Sequence, residues 1–188
     1  LRVHKNSQFH YLQTVERGYY KKNSAEEAAL KVMKEYNFIG VVERFDESLV
    51  LLRLLLGLDA KDILYVSSKI SGGYVSKNHD DDKCHYMFPK FTTPAVDRYL
   101  ESDEFYQGND KDYALYLAVN RSMDATIEMI GKERFVEALK EHKKLMQLVN
   151  DKCAPITRFP CSEEGIRQDH NCYWNDIGCG YDCIDSLI

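Results

Sequence analysis

Among the residues able to do chemistry in this sequence, the six cysteines are the most informative. Cys84 and Cys153 stand apart, while Cys161, Cys172, Cys179 and Cys183 crowd the C-terminal end. An even count, clustered in a stretch rich in Gly, Asp and Asn, suits disulfides formed in an oxidising compartment. All six are disulfide candidates, and sequence alone does not choose among their pairings. The competing chemistry is a zinc site using Cys172, Cys179 and Cys183 with His170 or Cys161. Paired C-x-x-C knuckles are absent, and disulfides are the preferred reading. His79 with Asp80, Asp81 and Asp82 could hold a divalent cation through an Asp-x-Asp clamp, although acidic loop runs are ordinarily just hydrated. His142 could act as an acid or base, but it falls on an apolar helical stripe, where a packed histidine is the simpler expectation. Asn120-Arg121-Ser122 fits the acceptor pattern for N-glycosylation. No G-x-S-x-G elbow and no G-x-x-x-x-G-K-[ST] loop occurs, and Gly72-Gly73 reads as a flexible turn.

These groups need a scaffold, and the totals bound it. At 188 residues, with 44% apolar and 29% charged side chains, the chain suits one domain with its own core. A net charge of −5 and a pI near 5.7 give no general basic field, so nucleic acid is not an expected partner. No apolar run reaches the roughly 18 residues of a membrane-spanning helix. Beginning at Leu1, without Met or an apolar signal segment, the sequence reads as a processed mature chain or part of a longer one.

The centre of the expected fold is Phe38 to Leu58. Phe38-Ile39-Gly40-Val41-Val42 has the β-branched, nearly continuous apolar pattern of a strand covered on both faces. Asp46 is placed to cap a following helix, and Glu47 adds negative charge where the helix dipole favours it. Leu49 to Leu56 is apolar except for Arg53, which predicts a buried helix ended by Gly57. Upstream, Ser24-Ala25-Glu26-Glu27 is a capping box, and Ala29, Val32, Met33 and Tyr36 share one helical face. A second strand is expected at Ile63-Leu64-Tyr65-Val66. Helices alternating with strands predict an α/β fold with a short, mainly parallel sheet.

Ser67 to Phe91 reads as a long loop of about two dozen residues, the length at which functional or anchored loops become common. Thr93-Pro94 looks like an N-cap with proline at the first helical position, opening a helix to about Leu100. Asp110 to Ile130 predicts a long helix with Tyr113, Tyr116, Leu117, Met123, Ile127 and Ile130 near one stripe, broken at Gly131. Another helix, from about Glu133 to Val149, carries Phe135, Leu139, His142, Met146 and Val149 at helical spacing. Pro155 and Pro160 close the helical part, and the remainder reads as an irregular strap tied down by cysteines. The organisation expected is an α/β domain over 1–150, with a cysteine-rich tail over 151–188 packed on the same domain.

Glu43-Arg44-Phe45-Asp46-Glu47-Ser48-Leu49-Val50-Leu51-Leu52 closely resembles a segment of the membrane-associated carbohydrate sulfotransferases of the galactose-3-O- and heparan-sulfate-2-O-type. There a strand of the form F-x-G-V-x-E precedes F-D-E-S-L-x-L-L at the start of a helix. Asp112-Tyr113-Ala114-Leu115-Tyr116 with Ala118-Val119-Asn120 is similar to that family's D-x-x-L-Y-x-x-A/F-N helix. Asn6-Ser7-Gln8-Phe9 with Leu12 is similar to the segment preceding the strand, so the likeness covers roughly Asn6 to Lys140. The end of the chain, Cys172-Tyr173-Trp174 to Gly178-Cys179-Gly180-Tyr181-Asp182-Cys183, resembles tails of algal sulfotransferase-like proteins.

The resemblance implies a partial P-loop-like α/β fold and the donor 3′-phosphoadenosine 5′-phosphosulfate. In the family, a Lys-x-Gly-Ser/Thr loop steadies the transferring sulfuryl group and an Arg…Ser pair grips the 3′-phosphate. Neither occurs in this sequence, since Lys5-Asn6-Ser7 lacks the glycine and the preceding strand. By analogy Glu43, Arg44 and Phe45 would form the wall near the adenine, at the ligand-side end of the strand. A turn fastening a buried helix explains the same residues. The expectation is therefore a sulfotransferase-like domain of a Golgi or other organelle lumen or the extracellular space, without catalytic residues of its own. It would serve as a binding or structural subunit with protein partners. The exposed aromatics of Leu1–Tyr20 and the Ser67–Phe91 loop would then be contact surfaces. The alternative is the C-terminal part of an active carbohydrate O-sulfotransferase, with a carbohydrate acceptor and the donor bound by residues not in this chain.

Overall fold

The structure is a computed structural model that describes residues 23–67, 72–75, 83–89, 92–170 and 179–187. It is helix-rich. The chain forms two compact units, one from residues 1–54 and 92–135, the other from 55–91 and 136–188.

The first unit contains α1 (Ala25–Glu35), most of α2 (Phe45–Leu56), α3 (Pro94–Leu100), α4 (Asp103–Gly108), α5 (Asp110–Ile130) and the start of α6 (Lys132–Lys152). The α1 start is the expected capping box: the Glu27 N–H donates to Ser24 Oγ at 3.2 Å, and the Ser24 N–H donates to Glu27 Oε2 at 3.1 Å. Ala28, Ala29 and Val32 face inward, and α1 packs against α5. Thr93 caps α3 through the Val96 N–H, with Pro94 at the first helical position. The buried stripe of α5 is Leu115, Val119, Met123 and Ile127, a strict four-residue repeat. Tyr113, Tyr116 and Leu117, expected on that stripe, are exposed.

The largest correction concerns the sheet. Phe38 to Val41 is not a strand, and a 3-10 turn over Val42–Arg44 leads straight into α2. The reason is local competition for the backbone. Ser48 Oγ accepts from the Val41 N–H at 2.9 Å and donates to the Val41 carbonyl at 3.2 Å, and that carbonyl also accepts from the Arg44 N–H. Groups that a neighbouring strand would have used are already satisfied. The helix consequently begins at Phe45, so Asp46 lies in its first turn and is not its cap. The helix is also less buried than its composition predicts: Val50 and Leu51 are fully buried, while Leu55 and Leu56 are exposed. Gly57 ends it with φ 68°.

In the second unit, Ala60–Ile63 is a 3-10 turn and Leu64 to Val66 is extended without strand pairing. Leu64 and Val66 bury against α6, in a core with Met146, Val149, Cys153 and Ile184. An apolar run of that length can meet a helix as readily as a sheet. The sheet present among the described residues has two strands, β1 (Tyr74–Val75) and β2 (His85–Tyr86), paired antiparallel with Tyr74 opposite Tyr86. It lies inside the expected loop. The mainly parallel sheet is therefore replaced, among the described residues, by helices and this one short hairpin.

The α6 face is as expected: Phe135, His142, Met146 and Val149 are buried, with Phe135 belonging to the first unit. Ala154–Ile156 adds a 3-10 turn. The tail is not wholly irregular, because it ends in α7 (Tyr181–Leu187), which buries Ile184. Gly180 makes that helix possible. Its φ is +81°, and a Cβ there would stand 2.8 Å from both Thr157 Oγ1 and Val66 Cγ2.

Candidate functional site

Disulfides account for the described cysteines. Cys84 is bonded to Cys161 and Cys153 to Cys183, with Cα–Cα distances of 6.1 and 5.6 Å. Cys179 is disulfide-bonded as well, whereas Cys172 lies outside the described residues. With Cys161, Cys179 and Cys183 oxidised, no thiolates remain on them to bind zinc. No group of three His, Cys, Asp or Glu among the described residues could hold a metal ion. His79 and Asp80 to Asp82 lie outside those residues, as do the aromatics of Leu1–Tyr20 and the Asn6-Ser7-Gln8-Phe9 segment.

The candidate site taken from the resemblance, Glu43, Arg44 and Phe45, falls on the 3-10 turn and the first residue of α2. Glu43 and Phe45 are exposed. Arg44 is the organising side chain. Its Nε and Nη2 both donate to Glu47 Oε2, at 2.9 and 2.6 Å. Its Nη1 donates to Asp124 Oδ1 at 2.8 Å and more weakly to Asn120 Oδ1 at 3.4 Å. One guanidinium thus ties the entrance of α2 to the middle of α5. Partial burial works against its charge, but the hydrogen bonds and negative charges of Glu47 and Asp124 outweigh that cost, and the Arg44 pKa is raised. Below the guanidinium, Ser48 holds both backbone groups of Val41, and its Oγ lies 3.7 Å from Met123 Sδ.

Asn120, the glycosylation candidate, belongs to the same cluster. Its amide nitrogen donates to the Tyr116 carbonyl at 3.0 Å while its oxygen faces Arg44. Motif reading had joined Arg44, Glu47, Ser48 and Asn120 to one family pattern through two separate segments. It missed Asp124, which no part of the pattern marked; an Asp four residues after Asn120, one helical turn on, was the available signal.

Sequence reading also missed a pocket of about 260 Å³ in the second unit, lined by Ile156, Arg158, Asp169 and His170. His170 Nδ1 is buried there without a hydrogen-bond partner. His142 is buried within α6, the packed position expected for it.

What these observations define is a helix-rich, disulfide-stapled protein whose ion-paired Arg44 locks α2 to α5. Its disulfides are consistent with an oxidising, non-cytoplasmic compartment. Among the described residues no helix is long and apolar enough to cross a membrane. Comparison with known proteins finds no matching family model, no matching curated protein and no matching solved structure.

Proposed function

We propose that this chain is a sulfotransferase-like, non-catalytic binding or structural subunit of a larger assembly in the Golgi or another organelle lumen, or outside the cell. The observation that carries the reading is the state of Arg44. In the resembling segment this side chain would stand beside a donor nucleotide, but here its five-donor fork is turned onto Glu47, Asp124 and Asn120. A cation neutralised by two carboxylates offers little to a phosphate. Ser48, four residues further along the chain, is likewise engaged with Val41. On this reading the motif fastens two helices, and Glu43 and Phe45, both exposed, offer contact surface to a protein partner.

Calorimetric titration with 3′-phosphoadenosine 5′-phosphate tests the proposal. No saturable heat is expected, and Arg44→Ala should lower thermal stability without creating or abolishing binding. Micromolar binding that Arg44→Ala removes would overturn the proposal in favour of the C-terminal part of an active carbohydrate O-sulfotransferase that uses 3′-phosphoadenosine 5′-phosphosulfate.

A further inference from the structure

The two assigned disulfides sit in different surroundings. Cys153 is fully buried in the second unit's core beside Val149 and Ile184, while its partner Cys183 is half-buried against the same cluster. Cys84 and Cys161 are both only half-buried. Their bond joins the β1–β2 hairpin to the turn over residues 160–168, which closes on itself through the Cys161–Arg167 bridge and the hydrogen bonds Ser162 N–H to Ile166 O and Gln168 N–H to Pro160 O.

Among the described residues, the noncovalent contacts between hairpin and turn centre on the Lys83–Ile166 bridge, with its Cys84 N–H to Gly165 O hydrogen bond at 2.8 Å, and on the ring of Tyr74 lying on Gly165. A Cβ at residue 165 would come within 2.5 Å of that ring, so the two surfaces touch without a side chain between them. Two strands of two residues each cannot hold a hairpin in place unaided.

We propose that Cys84–Cys161 is a redox-releasable latch: its reduction frees the β1–β2 hairpin from the 160–168 turn while Cys153–Cys183 stays oxidised in the core. In the release step a thiolate of an external dithiol attacks one of the two sulfurs. The S–S bond breaks, and a mixed disulfide forms with departure of the other protein thiolate. The second thiolate of the dithiol then displaces the first protein sulfur. Two protons are taken up, the protein gains two electrons and two thiols, and the dithiol leaves as its cyclic disulfide. Access of the attacking thiolate decides the order, and the pair with both cysteines half-buried is reached before the pair in which Cys153 is fully buried. Release uncovers the face of Tyr74, extending the exposed aromatic row of Tyr86 and Phe88.

The test is a dithiothreitol titration of the oxidised protein, quenched by alkylation and read by peptide mapping, with amide hydrogen exchange on the same samples. Cys84 and Cys161 should be half-alkylated at roughly one tenth of the reductant needed for Cys153 and Cys183. At that point the amides of Cys84, Gly72 and Met87 should lose protection while those of Val149 and Cys153 keep it. Simultaneous reduction of both bonds, or retained protection of the Cys84 amide after its bond is cut, overturns the latch. A Cys84→Ser/Cys161→Ser variant should reproduce the freed hairpin with a protected core. Loss of core protection in that variant also overturns the proposal, because the bond would then be a general staple.

Discussion

Ser48 satisfies both backbone groups of a single residue, and that residue, Val41, is 5% exposed. Ser48→Ala leaves the Val41 N–H buried without its acceptor, and the expected loss is about 1–2 kcal/mol. The readout is the urea midpoint, with the m-value unchanged. Gly40 belongs to the same arrangement, since a Cβ there would lie 3.0 Å from Ser48 Cβ. Arg44→Ala should cost less, about 1 kcal/mol, because a partly exposed ion pair is screened by solvent. That cost should shrink in high salt when thermal melts are compared at two ionic strengths. The raised Arg44 pKa makes its contribution fully present below the unfolded-state value and lost only in strong alkali. Melts between neutral and mildly alkaline pH should therefore show no change that traces to this residue. At this scale the sequence was informative about types and silent about partners. Arg44 and Glu47 three residues apart could be paired on paper, but Asp124 could be found only once α5 was in place.

Elements were legible where their signals are local. The Ser24 box, the Thr93-Pro94 start, the α5 span and the α6 face all rest on contacts within a turn or two of helix. Elements that depend on distant pairing were not. Phe38–Val41 and Leu64–Val66 have strand composition, yet one is captured by a serine seven residues on and the other packs on a helix. Of the expected α5 stripe, Met123 and Ile127 are buried, but the buried face follows the narrower repeat of Leu115, Val119, Met123 and Ile127 and leaves Tyr113, Tyr116 and Leu117 outside it. Helix α7 was hidden because its start depends on Gly180 meeting Thr157 and Val66, residues far away in sequence. Gly180→Ala should therefore cost about 2 kcal/mol or more, from a left-handed backbone together with two overlaps. Far-UV and near-UV circular dichroism on heating would register it as an earlier melt. An unchanged melt would mean that α7 tolerates a different start.

For the whole molecule, the alternation of helices and strands predicts an α/β architecture, and the described residues form a mixed but helix-rich structure whose sheet is one short hairpin. The helices were legible and the sheet was the least legible level, because strand pairing depends on partners distant in sequence. The disulfide chemistry was legible from composition, while the pairings depended on folding. Those pairings bridge 77 and 30 residues, and the second bridge begins inside the first. Each restricts the unfolded chain by about 4 kcal/mol in a chain-entropy estimate.

Overlapping bridges of this kind also decide what happens after a protease strikes. A single cut between Cys84 and Cys161 leaves the fragments joined by that pair, and one between Cys161 and Cys183 leaves them joined by Cys153–Cys183. Brief trypsin digestion should thus yield a clipped species that migrates as one band on a non-reducing gel and parts only when reductant is added. Damage anywhere across this stretch is contained, and a nicked chain keeps all its pieces.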